Sequence, residues 1–171
     1  YTPDGERRWR VSTGGVPDVS AHRTGHPVVV DDTVYATTAG FALMSGDPAT
    51  TEAVFAIDDA TGEIRWRYEM PERIYTPAYA DETVYVTGFE HGAVALDAVT
   101  GEVRWERSAP VEGPPTVRDG RVYVPEQDDT GTALRALDAA TGESVWSVGT
   151  REPGPRRVAV TDDRLFHRER A

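Results

Sequence analysis

Ala95-Leu96-Asp97-Ala98-Val99-Thr100-Gly101-Glu102-Val103-Arg104-Trp105 is a stretch that the chain repeats on both sides of itself. Residues 56–66 and 136–146 share with it the frame Ala-x-Asp-x-x-Thr-Gly-Glu-x-x-Trp, and residues 4–9 hold a shortened copy. The tryptophans of the full copies recur about every 40 residues, a period typical of repeat arrays and propellers. The sequence therefore consists of tandem copies of one structural unit.

A second element recurs between these copies, as two short apolar strands joined by a tight acidic turn. One example is the pair of segments 77–80 and 84–87 around the turn 81–83. Alternation of residue types along such segments is typical of strands that bury one face. Together with the outer pair around the Asp-x-x-Thr-Gly turn, each unit holds four antiparallel strands, A to D, which is the blade of a β-propeller.

The sequence therefore predicts an all-β fold, a β-propeller of four-stranded antiparallel blades. Blades are expected at about 27–68, 75–107 and 114–148, with a partial D strand at 4–10 and a partial A/B pair at 157–168. Pairing the two partial ends would leave the last blade of a four-bladed ring without a C strand. We therefore expect residues 1–171 to form one segment of a seven- or eight-bladed ring.

The residues of the outer turn have the same structural explanation in every copy. An aspartate such as Asp97 can accept hydrogen bonds from backbone N–H groups two or three residues later, and Gly101 follows where a positive φ is needed. Trp105 then supplies the largest apolar surface of its blade. We expect a structural role for the equivalent residues of all three copies, namely Asp58, Thr61, Gly62, Trp66, Asp97, Thr100, Gly101, Trp105, Asp138, Thr141, Gly142 and Trp146.

The repeated frame resembles the tryptophan-docking motif of the pyrroloquinoline-quinone (PQQ)-like propeller repeats. The three full copies extend this resemblance over residues 56–146. It implies that the tryptophan of one blade docks against the Ala-to-Gly segment of the next. The family includes quinoprotein alcohol dehydrogenases, a lipoprotein of the bacterial outer-membrane barrel-assembly machine, and sensor domains. The resemblance therefore identifies the fold but says little about function.

The cofactor residues of the family's dehydrogenases do not carry over to this sequence. Those enzymes hold their quinone with calcium through a carboxylate and an asparagine, use an aspartate base, and cover the quinone with a vicinal disulfide. This sequence contains no asparagine and no cysteine, and its aspartates match turns rather than a catalytic motif. We therefore expect no catalytic residue and no cofactor in this segment. PQQ and calcium are expected only if it is part of a dehydrogenase.

Composition narrows the classes of partner. The formal net charge is −11 and every basic residue apart from histidine is arginine, which argues against a nucleic acid held on a basic surface. Acidic excess of this kind is typical of salt-adapted proteins, although codon bias alone explains it equally well. No apolar run approaches the roughly 20 residues that span a bilayer, so membrane insertion is not expected.

The two faces of a propeller differ in their expected roles. The A–B and C–D turns lie on one face and repeat nearly verbatim, whereas the B–C loops and D–A crossovers lie on the other and vary. Binding residues concentrate on variable loops held by a rigid scaffold, so we expect them on this second face, the loop face. The candidates are His22, His26, Phe41, Met44, Arg73, Glu90, His91, Glu126 and Asp128.

Each group of candidates also has a structural interpretation. The histidines would form a metal site only if they converged with a carboxylate such as Glu90, and solvated loop histidines are the simpler interpretation. Phe41 and Met44 either offer an apolar contact to a partner or pack on their own blade. The acidic segment around Glu126 and Asp128 has oxygen ligands suited to calcium but lacks the ligand spacing of a known loop, which favours a solvated loop.

These observations favour a non-enzymatic PQQ-like propeller scaffold that binds a protein or a ligand, as part of an exported or cell-surface protein. The expected partner is another protein, or further blades or copies of the same propeller. Two alternatives stay open. One is part of a PQQ-dependent quinoprotein dehydrogenase, and the other is the extracellular sensor domain of a signalling protein.

Overall fold

A computed structural model describes residues 4–11, 26–38, 52–71, 74–128, 131–150, 158–161 and 164–167. All regular elements within these ranges are β-strands, arranged as three four-stranded antiparallel sheets followed by a two-stranded hairpin. Successive sheets of this kind are the blades of the predicted all-β propeller. The described residues include no helix long and apolar enough to cross a membrane.

Each sheet is built from consecutive strands that pair in chain order. Sheet 1 contains β1 (Val28–Val30), β2 (Thr33–Thr37), β3 (Glu52–Asp58) and β4 (Ile64–Met70). Sheet 2 contains β5 (Ala78–Ala80), β6 (Thr83–Gly88), β7 (Gly92–Asp97) and β8 (Val103–Arg107). Sheet 3 contains β9 (Thr116–Arg118), β10 (Arg121–Asp128), β11 (Gly131–Asp138) and β12 (Ser144–Gly149). Sheet 4 contains β13 (Val158–Val160) and β14 (Leu165–His167).

The first partial element differs from the prediction. Residues 6–11 are not a strand, because none of the described strands pairs with them. Trp9 holds this segment in place instead, by donating from Nε1 to the backbone oxygen of Asp59 at 2.6 Å. The three full sheets span residues 28–70, 78–107 and 116–149, beside the predicted blades at 27–68, 75–107 and 114–148.

The acidic A–B turns are two-residue hairpin loops. Asp81 and Glu82 have φ angles of 46° and 56°, and Asp119 and Gly120 have φ angles of 48° and 68°. Positive φ at both central residues defines the turn whose twist matches that of the flanking strands. Glu82 adopts this conformation although its Cβ makes it unfavourable.

The core lies between neighbouring sheets rather than at one centre. One cluster joins sheet 1 to sheet 2 around Trp66, and another joins sheet 2 to sheet 3 around Trp105. Successive residues of β6 serve the two clusters in turn, with Val84 and Val86 in the first and Tyr85 in the second. Sheet 2 is therefore covered on both faces, and each sheet depends on its neighbours for burial.

Candidate functional site

The Asp-x-x-Thr-Gly turn of each sheet closes on its own aspartate. Asp97 Oδ1 accepts hydrogen bonds from Val99 N at 2.9 Å, Thr100 N at 2.8 Å and Thr100 Oγ1 at 3.1 Å. The turns at Asp58 and Asp138 have the same bonds. These carboxylates are therefore committed to the backbone of the turn and are not available for chemistry.

Each outer turn lies beside an A–B turn of its own sheet. Ala98 N donates to Glu82 O at 3.0 Å in sheet 2, and Ala139 N donates to Gly120 O at 3.0 Å in sheet 3. These bonds place both sets of turns on one face, the turn face, opposite the loop face.

Tryptophans connect sheet 1 to the outer turn of sheet 2, and sheet 2 to the outer turn of sheet 3. Trp66 Nε1 donates to Ala98 O at 2.9 Å, and Trp105 Nε1 donates to Ala139 O at 2.9 Å. Gly101 has a φ of 75°, and a Cβ added there would lie 2.7 Å from Trp66 Cδ2. The glycine is therefore required both by the turn and by the approach of the indole.

The sequence did not reveal that tyrosines share these acceptors. Tyr35 Oη donates to Ala98 O at 3.1 Å, and Tyr85 Oη donates to Ala139 O at 3.1 Å. Each alanine carbonyl thus accepts one bond from an indole and one from a phenol. Burial raises the pKa of Tyr85 above its ordinary value. The only feature of the sequence that could have indicated this role is the Val-Tyr pair that recurs in the second strand of each unit.

An arginine ties the two turns of sheet 1 together. Arg65 Nη2 lies 2.7 Å from Asp58 Oδ2 and 2.9 Å from Asp32 Oδ2, and its Nη1 donates to Thr33 Oγ1 at 2.6 Å. Arg65 is the extra residue of a β-bulge in the pairing of β3 with β4, which directs its side chain toward the turns. The Arg65 guanidinium, with the turn's own hydrogen bonds, holds the pKa of Asp58 at about 2.

Sheet 2 repeats this arrangement with one carboxylate fewer. Arg104 Nη2 contacts Asp97 Oδ2 at 2.7 Å, and its Nη1 donates to Thr83 Oγ1 at 2.6 Å. The guanidinium of Arg104 is the main reason why the pKa of Asp97 is lowered to about 2.

In sheet 3 a guanidinium group also contacts the aspartate of the outer turn, but it belongs to a different strand. Val145 stands in β12 at the position of the arginine, and Arg121 stands in β10 at the position that threonine holds in the other two sheets. Arg121 Nη1 contacts Asp138 Oδ2 at 3.1 Å. The two differences between the repeats therefore compensate each other.

Trp146 does not share the environment of the other two repeat tryptophans. It is 39% exposed, against 8% for Trp66 and 9% for Trp105, and its ring packs on Tyr123 with centroids 5.9 Å apart. The three turn glycines among the described residues already face other indoles, with Gly62 against Trp9, Gly101 against Trp66 and Gly142 against Trp105. No outer turn in the described part of the chain is left for Trp146.

On the loop face, the crossover of residues 108–115 joins sheets 2 and 3. Val111 N donates to Phe89 O at 2.9 Å, and Gln127 N donates to Pro110 O at 2.8 Å. The crossover therefore holds the B–C turn of sheet 2 and the second strand of sheet 3 at the same time. Its backbone is fixed by these bonds although its sequence does not repeat.

Glu126 is a buried residue of this face and not part of a solvated loop, so that prediction is wrong for this residue. It is 4% exposed, its Oε1 lies 3.0 Å from Arg107 Nη2, and its Oε2 forms an ion pair with Arg135 Nε at 2.8 Å. β10 and β11 continue past it to Asp128 and Gly131. Two guanidinium groups offset the cost of burying one carboxylate. The side chain of Asp128 lies outside the described residues.

The remaining loop-face candidates are not brought together into a metal site. His91 Nε2 lies 2.8 Å from Glu106 Oε1, while Glu90 and His26 are exposed. No group of three histidine, cysteine, aspartate or glutamate residues within the described ranges is placed to hold a metal ion. The other candidates, His22, Phe41, Met44 and Arg73, lie outside the described residues.

A second buried carboxylate on this face was not predicted. Glu52 is 1% exposed, and its Oε2 accepts a hydrogen bond from Ile74 N at 2.6 Å. The bond ties the start of β3 to the crossover between sheets 1 and 2. Because the sequence places Glu52 at the end of a non-repeating loop, no pattern marked it as buried.

Comparison with known proteins supports the β-propeller fold. The family model described as outer membrane protein assembly factor BamB, whose repeats are PQQ-like, matches residues 50–171. The chain belongs to this family. No curated protein matches this PQQ-like chain significantly.

Solved structures similar to the PQQ-like chain include enzymes and an assembly factor. The quinohemoprotein alcohol dehydrogenase from Comamonas testosteroni is 26% identical with a TM-score of 0.58, over 72% of this chain and 20% of its own. BamB from Moraxella catarrhalis is 18% identical with a TM-score of 0.58, over 83% and 57% of the two chains. The computationally designed Ika4 protein is 12% identical with a TM-score of 0.68, over 95% and 98%. The chain thus spans a fifth of the dehydrogenase and just over half of BamB, and the two less identical structures show the fold alone.

Proposed function

We propose that this PQQ-like segment is a non-enzymatic scaffold whose loop face binds another protein. The observation that carries the proposal is the crossover of residues 108–115, whose backbone is hydrogen-bonded to both sheet 2 and sheet 3. A surface that is already ordered loses little conformational entropy when a partner binds. Phe89, whose backbone oxygen accepts one of these bonds, is 39% exposed and offers an aromatic contact.

The charged groups near this crossover support a binding role over a catalytic one. Glu126 is engaged by Arg107 and Arg135, and His91 lies within ion-pair distance of Glu106. Charged and polar side chains around an exposed aromatic contact are the usual composition of a protein interface.

The described residues do not fit the calcium-held quinone of the family's dehydrogenases. Glu126 lies between two guanidinium groups, whose positive charge opposes the binding of a cation. Glu52 Oε2 is occupied by the backbone N–H of Ile74. The sequence also contains neither the asparagine nor the cysteines of such a site. A scaffold therefore accounts for these residues better than a dehydrogenase fragment does.

A photo-crosslinking residue at position 89 tests the scaffold, with the same residue at Glu63 on the turn face as the control. We expect one discrete adduct in extracts of the host from position 89 and none from position 63. Unlabelled wild-type chain is expected to compete the adduct away, and an unlabelled Phe89→Asp variant is expected not to. Equal adducts at both positions, or equal competition by the variant, would reject the loop face as the binding surface. Saturable thermal stabilisation by PQQ with calcium would instead support the dehydrogenase.

We also propose that the protein is exported and that its acidic surface is adapted to salt. The first part rests on the family, which is named after an outer membrane protein assembly factor. The second rests on the net charge of −11, since added salt screens repulsion between carboxylates. Protease treatment of intact cells tests export. Thermal unfolding in increasing potassium chloride tests the surface, and an unchanged melting temperature would contradict it.

A further inference from the structure

A cavity of about 340 Å³ opens on the turn face between sheets 2 and 3. This volume is within the range of small-molecule sites, roughly 300–1,000 Å³. Its walls include Asp81, Tyr85, Arg104, Arg121, Asp138 and Ala140. None of the loop-face residues lines it, so the cavity is separate from the proposed protein-binding surface.

The cavity coincides with departures from the repeat. Three residues that line it differ from their counterparts between sheets 1 and 2, namely Gly120, Arg121 and Ala140. The counterparts of Gly120 and Ala140 are larger, and the counterpart of Arg121 is uncharged. Those corresponding residues are Glu82, Thr83 and Val99. Smaller side chains at two positions enlarge the space, and a Cβ built on Gly120 would meet no atom within 4 Å. The third departure adds a guanidinium group to the wall.

Two arginines reach this cavity with unused hydrogen-bond donors. Arg121 uses Nη1 for Asp138 and for a backbone oxygen, which leaves Nε and Nη2 without an acceptor among the described residues. Arg104 uses Nη1 for Thr83 and Nη2 for Asp97, which leaves its Nε–H without an acceptor among the described residues. Each guanidinium group is thus neutralised by one carboxylate and still has N–H groups to offer.

An acceptor lines the same cavity. The Asp81 carboxylate lines the cavity together with Tyr85, and it makes no ion pair and accepts no hydrogen bond within the described part of the chain. The site therefore combines unused donors from two arginines with an unused carboxylate.

We propose that this cavity binds a small dipolar ligand that carries both a carboxylate and an ammonium group, such as an amino acid or a short peptide. The free N–H groups of Arg104 and Arg121 would receive the ligand's carboxylate through charge-assisted hydrogen bonds. Asp81 would receive its ammonium group. A purely anionic ligand would add charge beside Asp81 and Asp138 in a protein of net charge −11, whereas a dipolar ligand adds none.

Titration of the ¹⁵N-labelled chain with glycylglycine tests the proposal by NMR. We expect saturable shifts at the Nε–H resonances of Arg104 and Arg121 and at the amide of Ala140. The corresponding group between sheets 1 and 2, Arg65 Nε–H, is an internal control that should not shift.

A double variant separates the ligand site from the structural role of Arg121. Arg121→Thr with Val145→Arg keeps the net charge and restores the arrangement of sheets 1 and 2, in which an arginine of the last strand reaches the outer turn. We expect this variant to stay folded, as its dispersed spectrum would show, and to bind glycylglycine at least about tenfold more weakly. Val145→Arg alone keeps Arg121 and should retain binding.

Three results would overturn the proposal. The first is the absence of saturable shifts up to about 50 mM glycylglycine, a concentration that covers millimolar affinities. The second is undiminished binding by the folded double variant. The third is an equal response of Arg121 to potassium acetate, which would show that the arginines respond to a carboxylate alone and would reject the dipolar class.

Discussion

Replacement of Trp66 by alanine is expected to lower the unfolding free energy of the chain by about 3–5 kcal/mol, the range for large buried aromatic residues. The indole is 8% exposed, belongs to the cluster between sheets 1 and 2, and donates a hydrogen bond to Ala98 O. A side chain of this type buries about 150–250 Å², which at about 25 cal/mol per Å² gives an upper bound of roughly 4–6 kcal/mol.

Trp66→Phe separates the hydrogen bond from the packing. Phenylalanine keeps most of the apolar contact and loses the Nε1 donor. Because Ala98 O still accepts a bond from Tyr35 Oη, no buried carbonyl is left without a partner. We therefore expect a loss of only about 1–2 kcal/mol for this variant.

Trp146→Ala is the matched control, because the residue has the same place in its repeat but a different environment. It is 39% exposed, and Tyr123 packs against its ring. We expect a loss of about 1–2 kcal/mol. Urea unfolding followed by far-UV circular dichroism gives all three values, since the substitutions alter tryptophan fluorescence itself. Equal losses at positions 66 and 146 would refute the reasoning, because the contact with the next sheet would then contribute nothing.

Three further predictions concern backbone conformation, burial and acid. Gly101→Ala should cost about 2–4 kcal/mol in urea unfolding, because φ is 75° and the new Cβ would meet the Trp66 indole, whereas Gly149→Ala should change stability by less than about 1 kcal/mol. Glu126→Gln should cost about 3–5 kcal/mol by leaving two guanidinium groups without their carboxylate, and an unchanged melting temperature would contradict this. The unfolding free energy should fall as the pH drops from about 4 to 2. Asp58 and Asp97 have folded pKa values near 2, below the ordinary value of 3.8, so their stabilisation is present above pH 4 and is lost when they are protonated. An unfolding free energy that stays constant between about pH 4 and 2 would contradict this prediction.

The sequence predicted the fold because its main signals act locally and recur. The Asp97 turn closes through hydrogen bonds to residues two and three positions later, and Gly101 has the positive φ that such a turn needs. Alternation along β6 marked a strand whose two faces both lie against neighbouring sheets. These features need no knowledge of distant residues.

The site was less predictable because it depends on contacts between separate strands. Glu126 is 19 residues from Arg107, and their pairing requires β10 to continue past a proline that suggests a loop. Trp146 has the same motif as Trp66, but its burial depends on the sheet that follows. The exchange of Val145 and Arg121 becomes meaningful only when both positions are seen to serve one aspartate.

The direction of the tryptophan contacts has a consequence for synthesis of the protein. The indoles of Trp66 and Trp105 contact turns further along the chain, with Ala98 lying 32 residues after Trp66 and Ala139 lying 34 residues after Trp105. At about 5–20 residues per second, a nascent chain leaves each indole uncovered for roughly 2–7 seconds. Each new turn covers the preceding indole as the next one emerges from the ribosome. The uncovered surface of the growing chain therefore stays near one indole, however many repeats have already been made.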